Sequence, residues 1–244
     1  MTRQSPLLNF ELKPEQIDDF IKQFDGPFAG RLSSYHNYSR VVSLAHFAAL
    51  VTLLGLSKQP HTGVISGSLS EPELRFIQSD NVTVLSFEND ITFDLDKPWS
   101  EHPSQNFSMT LCNQVLEHVF NPHLAFKNLI HVTRPDGYIY VTIPTINCIH
   151  GEPHFYSSGY HPRFLERLAL ENGVEIVTIG YWGSFKYMVN AVTGRWLPAN
   201  QLVRGASGGL PYMEDQDGCI KHERVITDCW GLFKTKRDTK RQGT

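Results

Sequence analysis

Between Ser108 and Pro144 the sequence changes its hydrophobic period twice. "SMTLCNQ" (Ser108–Gln114) opens with a short apolar run, "NPHLAFKNLIHVTRPDG" has helical spacing and ends in Pro135 and Gly137, and "YIYVTIP" (Tyr138–Pro144) is rich in β-branched and aromatic residues. A strand, a helix and a strand in series form a crossover unit whose strands lie parallel. Parallel sheets are buried on both faces, so such a chain needs helices on either side. The strand end then becomes informative. Asn113, Gln114, Glu117 and His118 stand where a packed strand passes into its crossover, and polar residues at that point line a site.

The rest of the chain supplies the layers. "KPEQIDDFIKQF" (Lys13–Phe24) places Ile17, Phe20, Ile21 and Phe24 on one helical face, and Ser39–Lys58 is apolar nearly all round, as a buried helix is. "GVISG", "NVTVLSF", "ITFDL", "VEIVTIGYWG" and "TDCWGLFKTK" read as further strands. "SEPELRFIQ" carries Ser70, Pro72 and Glu73 in a capping-box arrangement that predicts a helix start. "PRFLERLALENG" (Pro162–Gly173) predicts a helix closed by Gly173. The expected fold class is α/β: a Rossmann-like, seven-stranded, mostly parallel sheet sandwiched by helices, with an N-terminal helical cap. Residues 1–60 form the cap in this reading, and residues 61–244 the main domain, with an insertion over 184–226 that serves as a lid or a dimer contact.

A chain of 244 residues suffices for one decorated α/β domain. The net charge of −3 gives no pull toward nucleic acid, and the basic run Lys234–Thr244 reads as a solvated terminus. The four cysteines form no CxxC pair, and Cys112 reads as a small core residue. The N-terminal stretch lacks the apolar core of a signal peptide, and the longest apolar run, Ala45–Leu56, is too short to span a bilayer. The expectation is a cytoplasmic protein with no membrane span and no nucleic-acid partner.

"NQVLEHVFNPHLAFKNLIHVTRPDGYIYVTIP" resembles the class I S-adenosylmethionine-dependent methyltransferases, in particular the type 11-like subgroup with a "VLEHV…P…L…RPGG…P" block. Val115, Leu116, Glu117, His118 and Val119 carry the resemblance, continued by Pro122, Leu124, Arg134, Pro135 and Gly137. Asp136 stands where the pattern has the first glycine of its turn, and the first loop, "ISGSLSEPEL", keeps only Gly67 of a glycine-rich pattern.

The resemblance implies S-adenosyl-L-methionine as cofactor, held at the carboxyl ends of the strands, where open α/β sheets bind their ligands. Ser66, Gly67 and Ser68 would approach it from the first loop, with a helix start at Ser70 offering free amides to its carboxylate. Glu88 would accept from the ribose hydroxyls, with Asn89 or Asp90 as substitutes, and Asp94 with the Leu95 amide would read the adenine edge. Asn113 and Gln114 would lie beside the methionine part.

The loop after the fifth strand carries His150, Glu152, His154, Tyr156 and His161 and hangs over the methyl donor in this topology. His154, His150 or His118 would take the acceptor's proton. The loop histidines lack the rigid spacing of a metal site, so no metal is expected. The implied reaction is methylation of an oxygen, with a sugar or glycan hydroxyl as acceptor because "HPRFLERL…YWGS" resembles methyltransferases of glycan modification. A phenolic or quinone-like small molecule is the alternative acceptor. The single glycine of the first loop keeps a third reading open, an inactive methyltransferase-like partner protein, and a homodimer is the open assembly state.

Overall fold

The computed structural model describes residues 10–23, 38–86, 93–98, 106–183, 188, 206–209 and 225–236. Helix α1 (Pro14–Gln23) and helix α2 (Tyr38–Leu53) come first. Strand β1 (Lys58–Gln59) pairs only with β3 (Gln78–Ser79), while β2 (Thr62–Ile65), β4 (Val82–Leu85), β5 (Phe107–Asn113) and β6 (Thr133–Pro144) lie side by side in parallel. Helix α3 (Pro122–Val132) forms the β5–β6 crossover, and α4 (Pro162–Asn172) leads into β7 (Glu175–Gly183). Strand β9 (Asp228–Lys234) inserts antiparallel between β6 and β7. The order across the sheet is β4-β2-β5-β6-β9-β7, extended at the β7 edge by β8 (Ala206–Gly209), a short antiparallel strand from within residues 184–226. The sheet is thus mostly parallel and the architecture α/β, as the alternating patterns require.

Three local expectations are corrected. The strand expected over "ITFDL" is not seen among the described residues: Ile91 and Thr92 lie outside them, and Phe93 and Asp94 are irregular chain. The six strands from β4 to β7 therefore form the main sheet, and the seventh is β8, not this segment. The helix expected from Ser70 is a 3₁₀ turn, Pro72–Arg75, with Glu71 at its cap position and no side-chain cap. The α3 helix ends at Val132, and "TRPDG" already belongs to β6. Asp136 there takes a left-handed φ of 60°, the conformation a glycine would otherwise supply.

The capping signals of the later helices hold. Pro162 and Gly173 bound α4 as expected, with Gly173 at φ 67° and its amide returned to the Ala169 and Leu170 carbonyls. Asn121 caps α3 through its side chain, which accepts from the Leu124 amide at 3.1 Å.

Two apolar clusters cover the two sheet faces. One gathers Phe126, Leu129, Leu165 and Leu168 of α3 and α4 against Ile139, Val141 and Phe233; it also contains Cys112, a small core residue as read. The other gathers Ile17 of α1 and Val42, Ala45 and Phe47 of α2 against Met109, Leu111, Tyr140 and Leu232. Trp182 and Trp230 are buried in this second cluster, so they pack rather than stack on a ligand. Trp196 and Tyr212 lie outside the described residues. No helix among those described is long and apolar enough to cross a membrane.

A polar link ties the segment before α1 to α2. The Leu12 amide donates to His46 Nε2 at 3.1 Å, and His46 Nδ1 donates to the Val42 carbonyl at 2.8 Å. This ring is neutral in the fold, because burial pushes its pKa down to about 4. A histidine depressed in this way contributes stability above its unfolded value of 6.5, lost as pH falls toward 4. His46→Gln is therefore expected to flatten the acid limb of the stability curve. The wild-type slope from this group is at most about 1.4 kcal/mol per pH unit. Urea unfolding of both proteins at pH 7 and pH 5 checks it; equal losses would show that His46 does not control that limb.

Candidate functional site

The order β4-β2-β5 means that the chain winds outward from β2 to β4, then returns to the other side of β2. The crevice of such a sheet lies at this switch, outside the carboxyl ends of β2 and β5. Ser66, Gly67 and Ser68 leave β2 there, and Asn113 ends β5 beside them with Gln114 directly after it. Ser66 and Gln114 both have left-handed backbones, at φ 53° and 55°, which non-glycine residues adopt at a cost.

At the centre of this polar group stands Arg40, in the first turn of α2. Its Nη1 donates to Thr142 Oγ1 at 2.9 Å, and its Nη2 to Glu71 Oε2 at 3.0 Å and Glu73 Oε2 at 3.1 Å. The Asn113 amide donates to Glu71 Oε2 at 3.4 Å. Gln114 Nε2 donates to Thr142 Oγ1 at 3.2 Å and Asp228 Oδ1 at 3.3 Å. Strand ends β5, β6 and β9, the first loop and α2 thus meet in one network. Gly67 permits the close approach: a Cβ there would lie 2.9 Å from Glu71 Oε1 and 2.8 Å from Val64 Cγ1.

The electrostatics are acidic. Burial opposes charge on Arg40, yet Glu73, Glu71 and more distant groups raise its pKa above the ordinary arginine value. Burial raises the Glu73 carboxyl and outweighs the attraction of Arg40. It also pushes Asp228 up to about 8 and Glu117 up to about 7, Arg40 opposing both shifts. Among the described residues, Arg40 thus pairs with two carboxyl groups and acts at longer range on two more, and three of the four hold their protons more readily than free carboxylic acids do.

The remaining expected residues fall in different places. Glu88 and Asn89 lie outside the described residues. Asp94 is engaged in its own turn: its Oδ1 accepts from the Asp96 amide at 3.0 Å, and Lys97 stands 3.7 Å from Oδ2. The Leu95 side chain is buried in the core, and its carbonyl accepts from Asn128 at 3.0 Å. No amide-rich helix start faces the crevice from Ser70, whose amide instead donates to Ser68 Oγ at 3.2 Å.

The histidines form a second group next to the first. Leu116–His118 is a 3₁₀ turn directly after β5, and the Glu117 carbonyl accepts from the Tyr156 amide at 2.9 Å, which docks the β6–α4 loop onto that turn. His118 and His150 meet edge to face at 4.7 Å, and Phe155 lies against both. The His154 ring faces Tyr156 instead, with centroids 6.5 Å apart. His161 caps α4, accepting from the Arg163 amide at 3.2 Å. Phe120 and Tyr156 form an exposed aromatic pair at the rim, 5.6 Å apart.

Sequence reasoning underrated Arg40, Glu71, Glu73, Thr142 and Asp228. A signal existed: an arginine at the head of an otherwise apolar, buried helix needs carboxylate partners, and the first loop holds two, Glu71 and Glu73, the second of which the capping-box reading had used otherwise.

No family model and no curated protein matches the sequence. Solved structures do resemble the fold at a distance. The N-methyltransferase NodS of Bradyrhizobium japonicum, solved with S-adenosyl-L-homocysteine, is 10% identical; the match covers 90% of this chain and 98% of that one, with a TM-score of 0.47. An S-adenosylmethionine-dependent methyltransferase of Aquifex aeolicus is 10% identical, over 92% and 98% of the two chains, at 0.45. The [4+2]-cyclase SpnF is 12% identical, over 91% and 94%, at 0.48.

Proposed function

We propose that the chain is a methyltransferase that binds S-adenosyl-L-methionine in the crevice between β2 and β5 and transfers its methyl group to a hydroxyl of a small acceptor. The observation behind this reading is the charge pattern around Arg40. The cofactor carries a sulfonium, an ammonium and one carboxylate, a net cation. The groups of the crevice match that ligand one by one: Arg40 suits the carboxylate, Glu71 and Asn113 Oδ1 suit the ammonium, and the carboxyl groups that burial holds toward their neutral form would ionise on meeting a cation. Ser66, Gly67, Ser68 and Gln114 line the approach, and Glu88 and Asn89 are assigned to the ribose, Asp94 and Leu95 to the adenine, from the resemblance alone. The bound cofactor supplies the methyl cation equivalent; the chain aligns the acceptor and excludes water.

The acceptor approaches over the β6–α4 loop, beside His118, His150 and His154. A sugar or glycan hydroxyl remains the acceptor suggested by the sequence. The exposed Phe120–Tyr156 pair offers a ring face, which suits a phenolic or quinone-like acceptor as the second reading.

Calorimetry with S-adenosylmethionine and S-adenosylhomocysteine tests the first step. One equivalent is expected to bind wild type, and Asn113→Ala is expected to weaken it about 10-fold, or about 1.4 kcal/mol. No heat at millimolar ligand would mean that Glu71, folded over Gly67, closes the crevice, and the inactive-partner reading would replace this one.

A further inference from the structure

Glu117 poses a problem that methyl transfer does not solve. Its side chain is fully buried, and neither carboxylate oxygen has a hydrogen-bond partner among the described residues. A buried carboxylate without a donor is costly, and such groups in native folds coordinate ions or pair with charges. Its near neighbours are imidazoles: His118 Nε2 stands 4.0 Å from Glu117 Oε1, and donor atoms of Glu117, His118 and His150 all lie within 4.8 Å of one another.

The two rings are also oriented as ligands are. His118 Nδ1 contacts the His154 carbonyl at 2.6 Å, and His150 Nδ1 contacts the Cys148 carbonyl at 2.8 Å. A carbonyl only accepts, so in both rings Nδ1 bears the proton. In each neutral ring the lone pair is thereby assigned to Nε2. Donation of the other ring nitrogen to a backbone carbonyl is the usual outer-shell support of a metal-bound histidine. Gly151, with φ 67°, lets the loop fold against the His118 ring; a Cβ there would lie 3.0 Å from Cε1.

We propose that Glu117, His118 and His150 form a binding site for one divalent first-row transition-metal ion. Two imidazoles and one carboxylate suit zinc, manganese, iron or cobalt better than magnesium or calcium. Ligand atoms around such an ion stand about 3–4 Å apart, so the trio closes by roughly 1 Å on binding, a movement that the loop bearing the exposed His150 can supply. Three protein ligands leave at least one coordination position for an oxygen ligand. His118 and His150 then act as ligands, not as the bases the sequence suggested. This proposal departs from the expectation of no metal, which weighed only the histidines of the loop, whereas the carboxylate here comes from the turn after β5.

The test uses cobalt(II) and zinc chloride with the full chain and without S-adenosylmethionine, so its outcome is independent of the methyl-transfer reading. Visible absorption of bound cobalt and calorimetry with zinc should each show one equivalent. Glu117→Gln, nearly isosteric, and His150→Ala, at an exposed position, should both weaken binding at least 10-fold while unfolding like wild type without metal. His154→Ala keeps the carbonyl that orients His118 and should bind as wild type does. Unchanged binding in Glu117→Gln and His150→Ala would overturn the site, as would no binding at 0.1 mM metal. Loss in Cys148→Ser equal to that in Glu117→Gln would overturn this ligand set.

Discussion

Arg40→Met is expected to destabilise the fold by about 3–5 kcal/mol, the usual cost of removing one partner from a buried ionic group. The guanidinium is mostly buried, at 14% side-chain exposure, and Glu73 is fully so. Without Arg40, Glu71 and Glu73 lose the guanidinium they share, and Thr142 Oγ1 loses the shorter of its two donor contacts, at 2.9 Å. Adding Glu73→Gln to the same chain should recover part of the loss, since it removes a carboxylate that burial already disfavours. Arg40→Lys should not substitute: an ammonium is a point charge and cannot span Thr142 and two carboxylates as the planar fork does. Urea midpoints of the four proteins decide the matter. An Arg40→Met chain as stable as wild type would show that the network adds nothing to the fold.

Asp228→Asn is expected to act in the opposite direction and to depend on pH. The unfolded chain ionises this carboxyl near 3.8, and burial raises it in the fold to about 8. Between those values the folded state binds more protons than the unfolded state, so stability falls as pH rises, by up to about 1.4 kcal/mol per unit, and levels off above about 8. Asparagine keeps an acceptor for Gln114 Nε2 and carries no charge. The variant should therefore gain on wild type steadily from pH 5 to pH 8, as measured by urea unfolding at both ends. A difference that stays constant with pH would mean that Asp228 does not hold its proton in the fold. His46 works against this slope on the acid side, which is why the two variants must be read separately.

The layers were legible in the sequence because each rests on local chemistry. Pro162 and Gly173 bound α4 whatever surrounds it, and the apolar period of Phe126, Leu129 and Val132 finds a sheet face by itself. The failures are long-range. Ser70 and Glu73 have the spacing of a capping box, but Glu73 is drawn to Arg40, 33 residues away, and the turn winds as 3₁₀. Asp94 sits in a run that alternates like a strand, yet its carboxylate closes a turn onto Asp96. The candidate site was only half visible for the same reason. Asn113 and Gln114 end a strand and announce themselves; Arg40, Glu71, Thr142 and Asp228 become a site only when five separate segments meet. The Glu117–His118–His150 grouping needed the loop's docking on the turn, which no spacing encodes.

If the crevice holds S-adenosylmethionine as proposed, the 3₁₀ turn after β2 also bears on which other adenosine-bearing molecules it would tolerate. Nucleotide cofactors present phosphates to this corner of a doubly wound sheet, where a helix start usually receives them. Here the corner offers Glu71 and Glu73 at a four-residue turn instead, and its one cation is already shared between them. A pyrophosphate would meet repulsion at the place where the proposed cofactor's ammonium would meet attraction. On that reading, discrimination against dinucleotides and nucleoside triphosphates, abundant competitors with the same adenosine, would follow from the fold of the loop without any contact with the base.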